Sequence, residues 1–221
     1  LINERNADLD SVFLETFNMN FNTSRPFQEN DGTVNYIENY AKLRINSNGL
    51  FEYDCMDASK GLELGEGIVS DYDIIKKAGE FLEKVNSVST LPVGNNYVFN
   101  RLEKKENRYE IYFDLTYNGI PVILNRASGT ESNVKITVEG TKIISYKQNF
   151  IACKPAGGDF EIKNMITALD DFYSIYDTQA VENVRISDMY NTYYYNPENK
   201  DMSVIWVVSL SNNEHVIVSG N

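Results

Sequence analysis

The chain carries one histidine, His215, two cysteines, Cys55 and Cys153, and three close pairs of carboxylates: Asp71 with Asp73, Asp170 with Asp171, and Glu63 with Glu66. Acyl transfer through a Ser–His–Asp arrangement would have to use His215, and no nucleophile elbow presents a serine to it. His215 therefore reads as a cross-strand or surface residue. One histidine and two isolated cysteines do not assemble a zinc site, so no metal is expected. The cysteines read as buried free thiols, or as a single bridge if the protein is exported. Carboxylates that perform acid–base work need unlike environments facing a cleft. Asp71 and Asp73 instead open a helix, where the dipole favours negative charge, and Asp170 and Asp171 fall on the polar side of a helical stripe. The glycine clusters GLELGEG (61–67) and PAGG (155–158) precede two helices but lack the lysine of a phosphate loop, and read as turns that need positive φ. No catalytic residue and no cofactor is expected. The residue types best suited to contact are the tyrosines of YNTYYYN. Tyr190, Tyr193, Tyr194 and Tyr195 offer amphipathic area at small entropic cost, and are the expected partner-binding residues, the alternative being a strand with tyrosines on both faces.

The elements that must position these residues are those of a folded, β-rich protein. The 221 residues are 42% hydrophobic and 24% charged, with 15 Tyr and 11 Phe. Aromatic usage of this kind suits half-buried strands. A net charge of -12 repels phosphate backbones and anionic lipids, which excludes nucleic acid as a partner. No apolar run approaches the roughly 18 residues of a membrane span.

Periodicity divides the chain into a lead-in over 1–40 and two modules over 41–125 and 126–221. The lead-in reads as a short amphipathic helix (Leu9, Val12, Phe13, Phe17) followed by a loop broken by Pro26 and Gly32. Each module reads as a β-hairpin, a helix and a β-meander. In the first, Ser70 caps a helix with Asp73 three residues on, and Ile74, Ile75, Ala78, Phe81, Leu82 and Val85 form its stripe. Asn118-Gly119 then turns the hairpin YFDLTYNGIPVIL, whose Pro121 points to an edge strand. In the second, Ile162, Met165, Ile166, Leu169, Phe172, Tyr173 and Tyr176 form the stripe, and VIWVVSLSNNEHVIVSG closes the module, with Trp206 in its core. Equivalent turns recur at offsets of 91 residues (Gly49 to Gly140) and 94 residues (Asn118 to Asn212). The expected fold class is α+β, as two tandem copies of one module, each an antiparallel sheet covered by one helix and joined through the linker NRASGTESN.

Tyr117-Asn118-Gly119-Ile120-Pro121-Val122, Gly140, Ile143-Ile144, Ser145-Tyr146 and Gln148, with the Tyr-rich strand and the Trp strand that follows, resemble the YycH/YycI family of regulators from Gram-positive bacteria, YycI more than YycH. The resemblance covers residues 95–219, with Asn213 standing where the family's last turn would have glycine. It implies a non-enzymatic accessory regulator on the extracytoplasmic face of the cell membrane, held by an N-terminal anchor that precedes Leu1. Its implied partners are a cell-wall-sensing two-component histidine kinase and a sister regulator, in a homo- or hetero-dimer. PepSY-like modules share a comparable element order; that alternative implies a secreted or lipoprotein module that inhibits or chaperones a protease, or binds peptide.

Overall fold

A computed structural model of the chain describes residues 7–20, 23–47, 49–89, 94–124, 132–150, 162–176, 185–196, 201–212 and 214–219. The protein is α+β, with mostly antiparallel strands and three α-helices among the described residues. It forms two compact units, Leu1–Leu115 with Ser132–Cys153, and Thr116–Glu131 with Lys154–Asn221. The units interleave along the chain. The strand expected to close the first module lies in the second unit, and the hairpin expected to open the second module lies in the first.

The first unit begins with α1 (Ala7–Thr16), β1 (Arg25–Gln28), β2 (Val34–Ile37), β3 (Ala41–Ile45) and β4 (Leu50–Cys55). A 3-10 turn at Ala58–Lys60, β5 (Leu62–Glu63), α2 (Asp71–Ser89), β6 (Asn95–Lys105) and β7 (Arg108–Tyr117) follow. After β8 (Ile120–Leu124), which belongs to the second unit, β9 (Val134–Glu139) and β10 (Lys142–Asn149) return to the first. Its strand order is β1-β2-β3-β4-β10-β9-β7-β6, with β5 beside the start of β10. The expected loop of the lead-in thus contains β1 and β2. Strands of four residues are too short to show a period, and they form because β3 offers a free edge with Val34 opposite Ile45 and Tyr36 opposite Leu43.

Register explains why one face of this sheet is core. Val34, Ile45, Phe51, Gln148, Val134 and Phe113 lie in one cross-strand row. Tyr36, Leu43, Tyr53, Tyr146, Ile136 and Ile111 lie in the next row on the same face. The row between them, Asn35, Arg44, Glu52, Lys147, Lys135 and Tyr112, points the other way, as a pleat of period two requires. Helix α2 covers the apolar face with the expected stripe: Ile74, Ala78, Leu82 and Val85 are buried, with Phe81 packed beside them. Gly61 marks a close approach, since a Cβ there would stand 2.7 Å from the Ile143 carbonyl oxygen.

The helix start matches the capping reading closely. Ser70 Oγ accepts from the Asp73 amide at 3.2 Å and donates to Asp73 Oδ2 at 2.7 Å, and that carboxylate accepts from the Val69 amide at 3.2 Å. These bonds hold the Asp73 carboxyl below the usual Asp value of 3.8, with the Ser70 hydroxyl the largest cause. A lowered value contributes stability that is complete above 3.8 and is lost as pH falls through the lowered one. Ser70→Ala is expected to cost about 1 kcal/mol at neutral pH through the lost cap. Below the ordinary Asp value its stability should fall less steeply than the wild type's. Thermal midpoints at about pH 7 and about pH 3 check both statements.

The second unit holds β8, α3 (Met165–Ile175), β11 (Ile186–Asn196), β12 (Asp201–Leu210) and β13 (His215–Ser219), in strand order β8-β11-β12-β13. Strand β8 runs parallel to β11 and is paired on its other side with Thr116 and Tyr117, the last two residues of β7, which belong to the second unit. It is therefore not the edge that Pro121 suggested; Pro121 sits near the strand's start, where a missing N–H is tolerated. Helix α3 also departs from the expected stripe. Its buried residues are Ala168 and Phe172, with Leu169 and Tyr176 partly covered, while Met165, Ile166 and Tyr173 are exposed. The cause is the start of the helix at Asn164, whose side chain accepts from the Thr167 amide at 3.0 Å and leaves Ile162 outside it. Phe172 then stacks on Tyr176 at 5.1 Å. The linker residues 125–131, Cys153 and the Gly157-Gly158 loop lie outside the described residues.

Candidate functional site

In the first unit, α2 and β6 enclose a groove of about 400 Å³, lined by Gly79, Leu82, Glu83, Asn86 and Ser87 of the helix and Asn96, Tyr97 and Phe113 of the sheet. Beneath it lies a buried polar node. Gln148 is 0% exposed in the middle of the apolar face. Its Nε2 donates to Asn86 Oδ1 and to Tyr97 Oη, both at 2.9 Å, and its Oε1 accepts from the Tyr146 hydroxyl. Burial, followed by the neighbouring Tyr97, raises the Tyr146 phenol well above its usual range, so it stays a donor. One amide therefore ties the centre of the sheet to both walls of the groove.

A second hollow, about 670 Å³, opens at the start of α2. Lys104 Nζ lies 3.2 Å from Asp71 Oδ1 and 4.9 Å from the centre of the Tyr109 ring across it. Interactions with Tyr109 first, then Asp71, raise the Lys104 ammonium above its usual range, so it stays charged and is no general base. On the sheet face away from α2, Arg101 stacks 3.7 Å over the Tyr112 ring, and Glu110 accepts from Tyr112 at 2.9 Å and pairs with Lys135 at 2.9 Å. Burial alone would raise the Glu110 carboxyl; bonds from Lys135 and Tyr112 outweigh it and hold the group below its usual range.

The remaining residues singled out in the sequence are placed as follows. Asp171 pairs with Lys163 at 3.0 Å and Glu63 with Lys142 at 2.9 Å, whereas Asp170 and Glu66 are exposed. Gly65 and Gly67 take the positive φ expected of the first glycine cluster, whereas Gly61 does not, with φ -57°. Cys55 is a free thiol that donates to the Asp57 carbonyl at 3.1 Å. His215 lies opposite Ser209 across β12 and β13, with Nδ1 2.9 Å from its hydroxyl. Trp206 donates its indole N–H to the Lys163 carbonyl at 3.0 Å and packs against the second unit's core. Tyr190, Tyr193, Tyr194 and Tyr195 are all half-buried in β11. Alternation puts Tyr190 and Tyr194 on one face and Tyr193 and Tyr195 on the other. Tyr193 meets Tyr117 edge-on at 5.8 Å, and the buried Thr192 hydroxyl between these tyrosines donates to the Pro121 carbonyl at 2.6 Å.

Sequence reasoning did not assemble the groove or its polar node. The available signals were Gln148, a polar residue at the core-facing parity of its strand, and Gly79 in mid-helix.

An α+β protein of mostly antiparallel strands that buries a polar node and offers grooves belongs to a broad class, and comparison with solved structures narrows it to a YycH-like fold. The chain is similar to the crystal structure of YycH from Bacillus subtilis, with a TM-score of 0.51 and 17% sequence identity over 84% of this chain and 43% of that one. The chain thus spans less than half the length of the YycH structure it matches. No protein-family model and no curated protein matches the sequence.

Proposed function

We propose that the chain is the extracytoplasmic part of a membrane-anchored, non-enzymatic regulator that binds a cell-wall-sensing two-component histidine kinase and a sister regulator, and so biases the kinase between signalling states. The observation that carries this reading is the YycH-like fold over 84% of the chain. The likeness of the Tyr117–Val122 and Ser145–Gln148 stretches to the YycH/YycI family supports it from the sequence. A regulator of this kind acts only through contacts that differ between the kinase's two states. The proposed history is duplication of one module. It is supported by the repeated order of two strands, a helix and three strands in β3-β4-α2-β6-β7-β8 and in β9-β10-α3-β11-β12-β13, once β5 is set aside. Positive φ at the equivalent turn glycines Gly49 and Gly140 agrees with it.

The test is cross-linked recovery of the full gene product from its own membranes, followed by identification of the captured proteins. A histidine kinase is expected, and its loss from the captured set when Tyr194 or Tyr195 is changed to Ala would place the tyrosine strand in the contact. Recovery of a protease with no kinase would overturn the reading in favour of the PepSY-like alternative.

A further inference from the structure

We propose that the exposed flank of α3 is the docking surface for an amphipathic helix of a partner protein, which seats a lysine or arginine in the hole bounded by Ile166, Leu169, Asp170 and Tyr173. The inference does not rest on a histidine kinase being that partner. Helices α2 and α3 each pack against the core of one unit, yet their outer faces differ. Beyond its first turn α2 exposes Lys76, Glu80, Glu83, Lys84 and Ser87, the polar face expected of a helix with solvent on one side. Helix α3 buries only Ala168 and Phe172 of its 11 residues. Ile166 is 71% exposed and Tyr173 55%, with Met165 at 56% beside them at the helix start. The apolar stripe of α3 is thus wider than the core of the second unit uses. Ile166 and Tyr173 stand seven residues apart, with Leu169 and Asp170 between them at the third and fourth positions. Residues at these spacings are neighbours on a helix surface. Four of them bound the hole that receives one side chain of a facing helix.

Charge selects the occupant of that hole. Asp170 is exposed and has no basic partner among the described residues, whereas the adjacent Asp171 pairs with Lys163 at 3.0 Å. The other three corners are apolar or aromatic, and the Tyr173 ring is set edge-on to Phe172 at 5.2 Å. A lysine or arginine matches both halves, its methylene stem lying along Ile166 and Leu169 and its charged head reaching Asp170. The Tyr173 ring attracts the same cation. A facing helix fits this surface better than an extended segment does, because its own side chains recur at the interval of the holes. The chain's net charge of -12 favours the approach of a basic partner. It also disfavours two other occupants. A second copy would bring this acidic flank against its own equivalent, and an anionic lipid surface would meet the same repulsion.

The probe is a fluorescein-labelled synthetic helix of about three heptads, with leucine along one face and lysine beside it, titrated against the purified chain by fluorescence anisotropy. A peptide with glutamate in place of lysine is the comparison. The lysine peptide should bind and the glutamate peptide should not. Ile166→Gln keeps the helix propensity at an exposed position and should weaken the lysine peptide by about tenfold. Asp170→Lys should weaken it at least as much and give the glutamate peptide measurable affinity. Glu66→Lys replaces an exposed carboxylate in the first unit and changes the net charge equally. It should leave both peptides as they are with the wild type, which separates recognition at α3 from general attraction. All three variants should melt with the wild type, since none of the positions is buried. Absence of lysine-peptide binding, equal affinity for wild type and Ile166→Gln, or equal losses in Asp170→Lys and Glu66→Lys overturns the proposal. So does a dimer in sedimentation velocity that Ile166→Gln disperses, which would give the flank to a second copy.

Discussion

Gln148→Leu should destabilise the protein by roughly 2–4 kcal/mol, although leucine is the more apolar residue and close to glutamine in volume. Gln148 lies in the cross-strand row with Phe51 and Val134, where a sequence-pattern argument would place leucine without objection. The loss comes from the partners. The substitution removes the acceptor of the Tyr146 hydroxyl and both donors to Asn86 and Tyr97, and Tyr146 is 0% exposed, so water does not replace its bond. A buried hydroxyl left without a partner costs about 1–3 kcal/mol by itself. Adding Tyr146→Phe to Gln148→Leu should therefore recover part of the loss, a coupling that a mere change of packing would not produce. Urea unfolding followed by far-ultraviolet circular dichroism measures all three variants. A shift under about 0.5 kcal/mol for the single variant, the range of ordinary surface changes, would show that the node contributes nothing.

The same residue shows how far the sequence can be read. Tyr146 and Gln148 share a parity with the buried side of β10, so the strand and its direction were legible, and so was Gln148 as an exception to the pattern. What it bonds to was not, because Asn86 is 62 residues away and Tyr97 is 51 residues away along the chain, and only the packing of α2 on the sheet brings them within reach. Local devices fared best. The Ser70–Asp73 cap and the stripe of α2 depend on neighbours within a few turns; the cap formed as read, and so did the stripe apart from Ile75, which is only partly buried. Strand β8 shows the opposite limit: Pro121 is a local signal for an edge, yet its carbonyl receives the Thr192 hydroxyl because β11 arrives beside it from 71 residues away. The YNTYYYN run was legible as a strand with tyrosines on both faces, whereas which face meets a partner is a property of the assembled surface.

Phe17→Ala should produce the largest loss of stability of any substitution considered, roughly 3–5 kcal/mol, the range for a fully buried large-to-small aromatic change. Phe17 follows directly on α1 and is 1% exposed. Its ring lies 5.2 Å from Phe51, 5.0 Å from Tyr53, 5.6 Å from Phe81 and 5.4 Å from Tyr146. It thus joins the N-terminal helix to β4, to α2 and to the strand that carries Gln148. Edge-on and tilted pairs at these separations each add about 0.5–1.5 kcal/mol beyond the area they bury, so the cost belongs at the upper end of the range. Val12, on the same helical stripe in the sequence, is 43% exposed, and Val12→Ala should change the unfolding free energy measured in urea by less than about 0.5 kcal/mol. Hydrogen exchange gives the local reading. The amides of α1 should lose protection in Phe17→Ala before those of α2, because α2 keeps the contacts of Ile74, Ala78, Leu82 and Val85 with the sheet. Equal unfolding midpoints for the Phe17 and Val12 variants would mean that α1 is held by its own helical stripe and not by the aromatic cluster beneath it.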